Sequence, residues 1–147
     1  MIDDLHITVA VIIERDGTFL MVEELSNGER VFNQPAGHVE NGESLAKAAI
    51  RETYEETGWQ IEVDCVISIY RWRVPESGET YFRVLFGGHA LKHDPEHPLD
   101  QGILRALWMS HAELDTADDR LRSPLVMRGI NDYMKNIHYP LDLIVDL

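Results

Sequence analysis

Cysteine is nearly absent. Cys65 is the only one, which excludes an intramolecular disulfide and leaves too little sulfur for a thiolate zinc centre or a dithiol redox pair. A reducing, cytoplasmic setting is the expectation. Long apolar runs are missing as well: none approaches the ~20 residues a helix needs to cross a bilayer. Met1-Ile2-Asp3-Asp4 also lacks the basic stretch followed by an apolar one that marks a secretory leader, so a soluble, unprocessed chain with no membrane partner is expected. Basic residues are scarce, 13 Lys and Arg against 26 Asp and Glu, for a formal net charge of −13. Such a field repels phosphate polymers and anionic surfaces and argues against nucleic acid as a partner. Repeats, low-complexity tracts and linkers are missing too, so the 147 residues read as a single domain, 1–147, able to bury a core without crosslinks.

What is present is a mixed pattern. His6 to Glu14, rich in β-branched residues, the turn Asp16-Gly17 and the apolar run Thr18 to Glu24 predict an opening β-hairpin. A polar loop, 25–30, precedes a short strand over Val31 to Pro35 and a Gly-containing loop, Ala36 to Glu43. Ser44 to Thr57 contains neither Gly nor Pro; Ser44 is placed to cap a helix and Gly58 to stop it. Ile61 to Trp72 and Thr80 to His89 read as a second hairpin across Pro75-Glu76-Ser77-Gly78-Glu79, and 92–101 as a polar loop. A strand around Leu104 to Met109 leads to a capping box, Ser110 to Glu113, and Ser123-Pro124 opens a helix reaching about Lys135. The fold class is α+β, a mixed sheet held between helices.

The chemistry concentrates on the first helix. Positions 48, 52, 55 and 56 share a face, because steps of three and four residues return to one side, so Glu52, Glu55 and Glu56 project together. A solvated acidic face explains them poorly. Glu55 and Glu56 occupy the last turn before Gly58, where the helix dipole disfavours negative charge by ~0.3–1 kcal/mol each. Glu52 adds like-charge repulsion of a few tenths of a kcal/mol at the i+3 and i+4 spacings. Arg51 offsets part of this through Glu55. A divalent cation would offset the rest, and an oxygen-only donor set favours Mg²⁺ or Mn²⁺ over Zn²⁺.

From Gly37 to Trp59 the chain resembles the Nudix box: Gly, five residues, Glu, seven residues, Arg-Glu, an aliphatic, any residue, Glu-Glu, any residue, Gly and an aliphatic. Every charged and glycine position matches, and Thr53 and Trp59 depart at the two aliphatic, packing places. Asn33-Gln34-Pro35-Ala36-Gly37-His38, Arg122-Ser123-Pro124-Leu125 and Tyr139-Pro140-Leu141 extend the resemblance to the bacterial NudJ-type phosphatase subgroup. The resemblance implies a Nudix-type α/β/α sandwich and a Mg²⁺-dependent hydrolase of nucleoside tri- and diphosphates and thiamine-pathway pyrophosphates, working as a monomer or homodimer on a small molecule. It implies Glu52, Glu55 and Glu56 as metal ligands with the Ala36 carbonyl as a further oxygen. Either Glu52 or Glu56 accepts the proton of the attacking water, and Glu43 and Arg51 serve as scaffold, Glu43 at the positive end of the helix dipole.

A further acidic ligand in many Nudix proteins precedes a strand Trp by six or seven residues. Before Trp108 that spacing reaches Gln101, with Asp100 beside it; Glu76, Glu79 and Glu96 are lesser candidates. Arg122, next to a helix start, is a candidate phosphate contact against a plain surface arginine. Tyr70, Trp72 and Arg83 are candidates for holding an aromatic base against the alternative of core packing. His38, His89 and His138 show no metal spacing, and the five Met are expected as core filling. Alternative readings are a nucleotide-sanitising or sugar-nucleotide pyrophosphatase and, from another class, a nucleotide- or metal-sensing module without turnover. Loss of a box glutamate would mark the last, and all are present.

Overall fold

The computed structural model describes residues 4–147. Its strands are β1 (Leu5–Arg15), β2 (Thr18–Ser26), β3 (Glu29–Asn33), β4 (Ala36–His38), β5 (Trp59–Arg73), β6 (Thr80–His93) and β7 (Ile103–Ser110); its helices are α1 (Leu45–Thr57), α2 (His111–Thr116) and α3 (Pro124–Met134). Short 3₁₀ turns occupy Asp118–Arg120 and Leu141–Leu143. The strand order is β3-β2-β1-β6-β5, with β4 added against β1 and β7 against β2. Among the strand pairs of the described residues only β1·β6 is parallel, so the sheet is mixed.

Strand β1 is the centre of the molecule. Val9, Ala10, Val11, Ile12 and Ile13 are all 0–1% exposed, because both faces of this strand are covered. Its alternation sorts them: Val9, Val11 and Ile13 pack with Ala48 and Ala49 of α1, while Ala10 and Ile12 pack with Leu114 of α2 and with Val126 and Ile130 of α3. The result is an α/β/α sandwich, as the sequence implied. The two departures from the box pattern fit this packing. Thr53 is fully buried and its hydroxyl donates to the Ala49 carbonyl (2.7 Å), and Trp59 stacks on His93 (4.6 Å between centroids) and meets Trp108 edge-on.

Several boundaries differ from the sequence reading. The supposed loop 25–30 is two strand ends joined by a tight Asn27-Gly28 turn, both residues at positive φ, 51° and 79°. Within the supposed loop 36–43, Ala36–His38 forms β4, and β5 starts at Trp59 rather than Ile61. The methionines do not all fill the core: Met21 and Met109 are buried, whereas Met134 is 55% exposed. No helix among the described residues is long and apolar enough to cross a membrane.

Candidate active site

Helix α1 forms because its caps are right. Ser44 accepts from the Lys47 N–H, and Gly58, at φ 73°, returns its own N–H to the Tyr54 carbonyl. The segment 94–100 then closes over that C-terminal end. Asp94 N–H donates to the Gly58 carbonyl (2.8 Å), Asp100 N–H donates to the Glu55 carbonyl (3.0 Å), and the Tyr54 hydroxyl donates to Asp94 Oδ2 (2.9 Å). Carbonyls left unpaired at the helix end thus fix a loop that carries an acid beside the helix.

That acid completes a cluster. Carboxylate oxygens of Glu52, Glu55 and Asp100 lie within 4.8 Å of one another. Glu56, expected beside Glu52 and Glu55, is not one of these three, though it lies near enough to Glu52 and Asp100 to feel their charge. It is buried beneath β4, where the Ala36 N–H donates to its Oε1 (2.9 Å). Consecutive positions on a helix are ~100° apart, so Glu55 faces the loop and Glu56 faces the sheet. Ala36 is placed by this bond and by its pairing opposite Ala10. Gly37 packs against Glu52 so closely that a Cβ there would sit 2.2 Å from the carboxyl carbon.

Arg51 ties the acids together. Its Nε and Nη2 donate to the two oxygens of Glu43 (2.6 and 3.0 Å), its Nη1 to Glu52 (2.9 Å) and Glu55 (3.2 Å), and Nη2 also to the His38 carbonyl (3.1 Å). Glu43 sits ahead of the cap residue and the first turn of α1 carries no acid, so its role is this fork and the Glu40 N–H it accepts (3.0 Å).

The electrostatics divide the acids into two kinds. The Arg51 hydrogen bonds hold the Glu43 carboxyl below its ordinary range. Burial pushes Glu56 up to about 9 against the pull of the Ala36 N–H, with repulsion from Glu52, Glu24 and Asp100 adding to the rise. Glu52 is raised by burial despite Arg51, and Asp100 is raised by desolvation of its carboxyl and by Glu55. Hard oxygen donors crowded in this way, without sulfur or imidazole, fit Mg²⁺ or Mn²⁺.

An open cleft of ≈ 480 Å³ adjoins the cluster, and Glu56, Ala36, Gly37 and His38 form its edge. Trp72, Arg83 and Arg122 line it. Arg122 is partly committed already, since it forms an ion pair with Glu24 and its backbone N–H donates to the Phe32 carbonyl (2.8 Å). Arg83 is 6% exposed, and its Nη2 donates to Asn33 (3.1 Å) and Gln34 (2.9 Å). Tyr70 corrects the sequence reading: it is not in the cleft wall, and its hydroxyl donates to Asp132 of α3 (2.7 Å), where it packs under that helix.

Of the lesser acids, Glu79 stands on the rim paired with His6 (3.0 Å), and Glu76 and Glu96 are exposed in turns. His38 meets His6 (3.1 Å), His89 meets Asp64 (2.8 Å), and His138 is exposed. The sequence reading gave no role to Glu24, Asn33, Gln34 or Tyr81, all of which lie in or under the cleft. Only a charged residue closing an apolar run, at Glu24, signalled the first.

A family profile described as the NUDIX domain matches residues 4–128. The chain is 40% identical over 141 residues to Phosphatase NudJ of Escherichia coli and of Shigella flexneri, covering 96% of this chain and 91% of the relative. A NUDIX hydrolase from Nitrosomonas europaea superposes with a TM-score of 0.95 at 42% identity, over 97% of each chain. A bifunctional NMN adenylyltransferase/ADP ribose pyrophosphatase from Francisella tularensis shares the fold alone, with a TM-score of 0.72 at 18% identity over 89% of this chain and 41% of that one. Box, sandwich and relatives agree, and the chain belongs to the Nudix hydrolase family, as a hydrolase acting on phosphoanhydride bonds.

Proposed function

We propose that the protein, working as a single cytoplasmic domain, is a Mg²⁺-dependent, phosphatase-type Nudix hydrolase of nucleoside tri- and diphosphates and thiamine-pathway pyrophosphates, with Mn²⁺ as a substitute. The observation that carries this reading is the convergence of Glu52, Glu55 and Asp100 at the edge of a cleft that Glu56 and Gly37 also border. The Escherichia coli relative is a phosphatase, which supports release of orthophosphate rather than pyrophosphate.

Glu52, Glu55 and Asp100 would hold the cation, with Glu56 and the Ala36 carbonyl as the next oxygens inward. A cation there supplies neutralisation of the diphosphate charge and eases deprotonation of the attacking water. Arg51 fixes Glu52 and Glu55 by charge-assisted hydrogen bonds, so the carboxylates are oriented before substrate arrives. Glu52 or Glu56 takes the water's proton; burial raises both above the ordinary carboxyl range, and a cation beside them would restore the ionised form that a proton acceptor needs. Arg122 contacts a phosphate with the donors its Glu24 pair leaves over, and Trp72 forms a wall for the organic half.

The test is a panel of nucleoside triphosphates, nucleoside diphosphates and thiamine diphosphate, assayed with Mg²⁺ or with EDTA. Orthophosphate released only with the metal is the expected result. Pyrophosphate as the product of triphosphates moves the assignment to the pyrophosphatase alternatives, and metal-independent turnover or none at all overturns it.

A further inference from the structure

The floor of the cleft is built from charged groups that burial ought to exclude. Glu24 is 8% and Arg83 6% exposed, on β2 and β6, the strands either side of β1. A single amide holds both: Arg83 Nη2 donates to Asn33 Oδ1 (3.1 Å), and Asn33 Nδ2 donates to Glu24 Oε1 (3.4 Å). Gln34, 1% exposed, accepts from the same Nη2 and donates onward to the Val126 carbonyl of α3 (2.8 Å), which locks the guanidinium in place.

Glu24 Oε1 is taken by Asn33 and Arg122, but Oε2 has no hydrogen-bond partner among the described residues, and neither do Nε and Nη1 of Arg83. Among the described residues no fully buried polar side-chain atom lacks a partner, so these three atoms keep some exposure, and their residues line the cleft. Buried charged groups kept with unused hydrogen-bonding capacity toward a cavity await a ligand that satisfies them. One is an acceptor only and the other a donor only.

Resting on the hydrolase reading above, we infer that Glu24 and Arg83 determine specificity by reading the organic half of the substrate, a heteroaromatic ring carrying an amino group beside a ring nitrogen. Arg83 donates to the ring nitrogen and Glu24 accepts from the amino group. A second phosphate is a poorer occupant, because a phosphate bound at Arg83 brings only acceptors to the Glu24 oxygen left over, which is itself an acceptor. The neutral ring engages both signs at once, and Trp72, on β5 in the same cleft, offers a face for it to lie against. Isoprenoid diphosphates, which have neither donor nor acceptor, would leave both groups unpaired, a loss that discriminates far more strongly than a missing methylene.

The test measures binding apart from turnover. Cytidine and adenosine monophosphates, and their analogues lacking only the exocyclic amino group, are titrated into the full-length protein by calorimetry. At least one amino compound should bind tenfold or more tightly than its deamino analogue, and in Glu24→Gln that ratio should fall at least threefold. Equal affinities for both pairs in the unchanged protein overturn the inference whether or not the variant folds; an unchanged ratio in a folded Glu24→Gln protein overturns the part given to Glu24. The hydrolase reading stands or falls separately, on phosphate release by the panel above.

Discussion

Gly37 shows how much of the site rests on one missing methyl group. Its backbone is not left-handed, so any residue could adopt it; the requirement is spatial, since a Cβ would lie 2.2 to 2.5 Å from the carboxyl atoms of Glu52. Gly37→Ala should therefore fold with a nearly unchanged melting temperature while Glu52 is pushed off its position. A displacement of about 1 Å in such a group lowers kcat by roughly 10²-fold, and a Mg²⁺ phosphate-release assay beside a thermal melt separates the two effects. Turnover equal to the parent protein would show that Glu52 need not stand where Arg51 holds it. At this scale residue identities were legible and the bend of one side chain was not. Helical pitch put Glu52, Glu55 and Glu56 on one side of α1, and within that side Glu56 bends to accept from the Ala36 N–H. A three-carbon side chain on the edge of a face is steered by whichever donor it meets, and that donor came from a strand read as a loop.

Elements were legible where local chemistry decides them. Ser44 and Gly58 bound α1 as read, and Ser110 with Glu113 forms the expected reciprocal cap, 3.1 and 3.0 Å. Strand β4 was not legible, because Ala36–His38 owes its extended shape to pairing with Thr8, Val9 and Ala10 rather than to any preference of its own. The Asn27-Gly28 turn was legible and was passed over, since Asn-Gly is the standard signal for a two-residue hairpin. Hidden altogether was the docking of segment 94–100 on the end of α1, which brings Asp100 into the acid cluster. Gly58 is the joint of that docking: at φ 73° it is left-handed, and a Cβ would come 2.7 Å from the Asp94 carbonyl oxygen. Gly58→Ala should cost about 1–2 kcal/mol from the backbone conformation alone, with the clash added, and lower the melting temperature by several degrees. It should also loosen Asp100, so Mg²⁺ affinity measured by calorimetry should fall as well; a variant with lowered stability and unchanged Mg²⁺ affinity would detach this loop from the metal site.

Across the whole molecule, acids of opposite character set the pH response. Glu23, bridged by Arg105 (2.9 Å) and Arg120 (2.6 Å), is held below its ordinary value: burial raises it, and the two arginine hydrogen bonds outweigh that. The hydrogen bonds of Asp132 likewise outweigh its burial. Such groups stabilise the fold above their unfolded values, and that contribution is lost as pH falls through the folded ones. Glu52, Glu56 and Asp100 run the other way. Their folded values lie above the unfolded ones, at about 9 for Glu56, so the folded state binds more protons and stability is lost as pH rises between roughly 4.5 and 9. A net charge of −13 gives the same slope, since every deprotonation adds to self-repulsion. Mg²⁺ would replace the protons at the cluster, and its stabilisation should therefore grow with pH. Melting temperatures in EDTA are expected to decline from pH 5.5 to 8.5, with millimolar Mg²⁺ restoring more at pH 8.5 than at pH 6. Magnesium-free, high-salt controls separate general screening from site binding, because sodium chloride relieves the net charge without filling a site. A Mg²⁺ effect matched by sodium chloride at equal ionic strength, or one that shrinks as pH rises, would mean that the three carboxylates are crowded for some reason other than holding a cation.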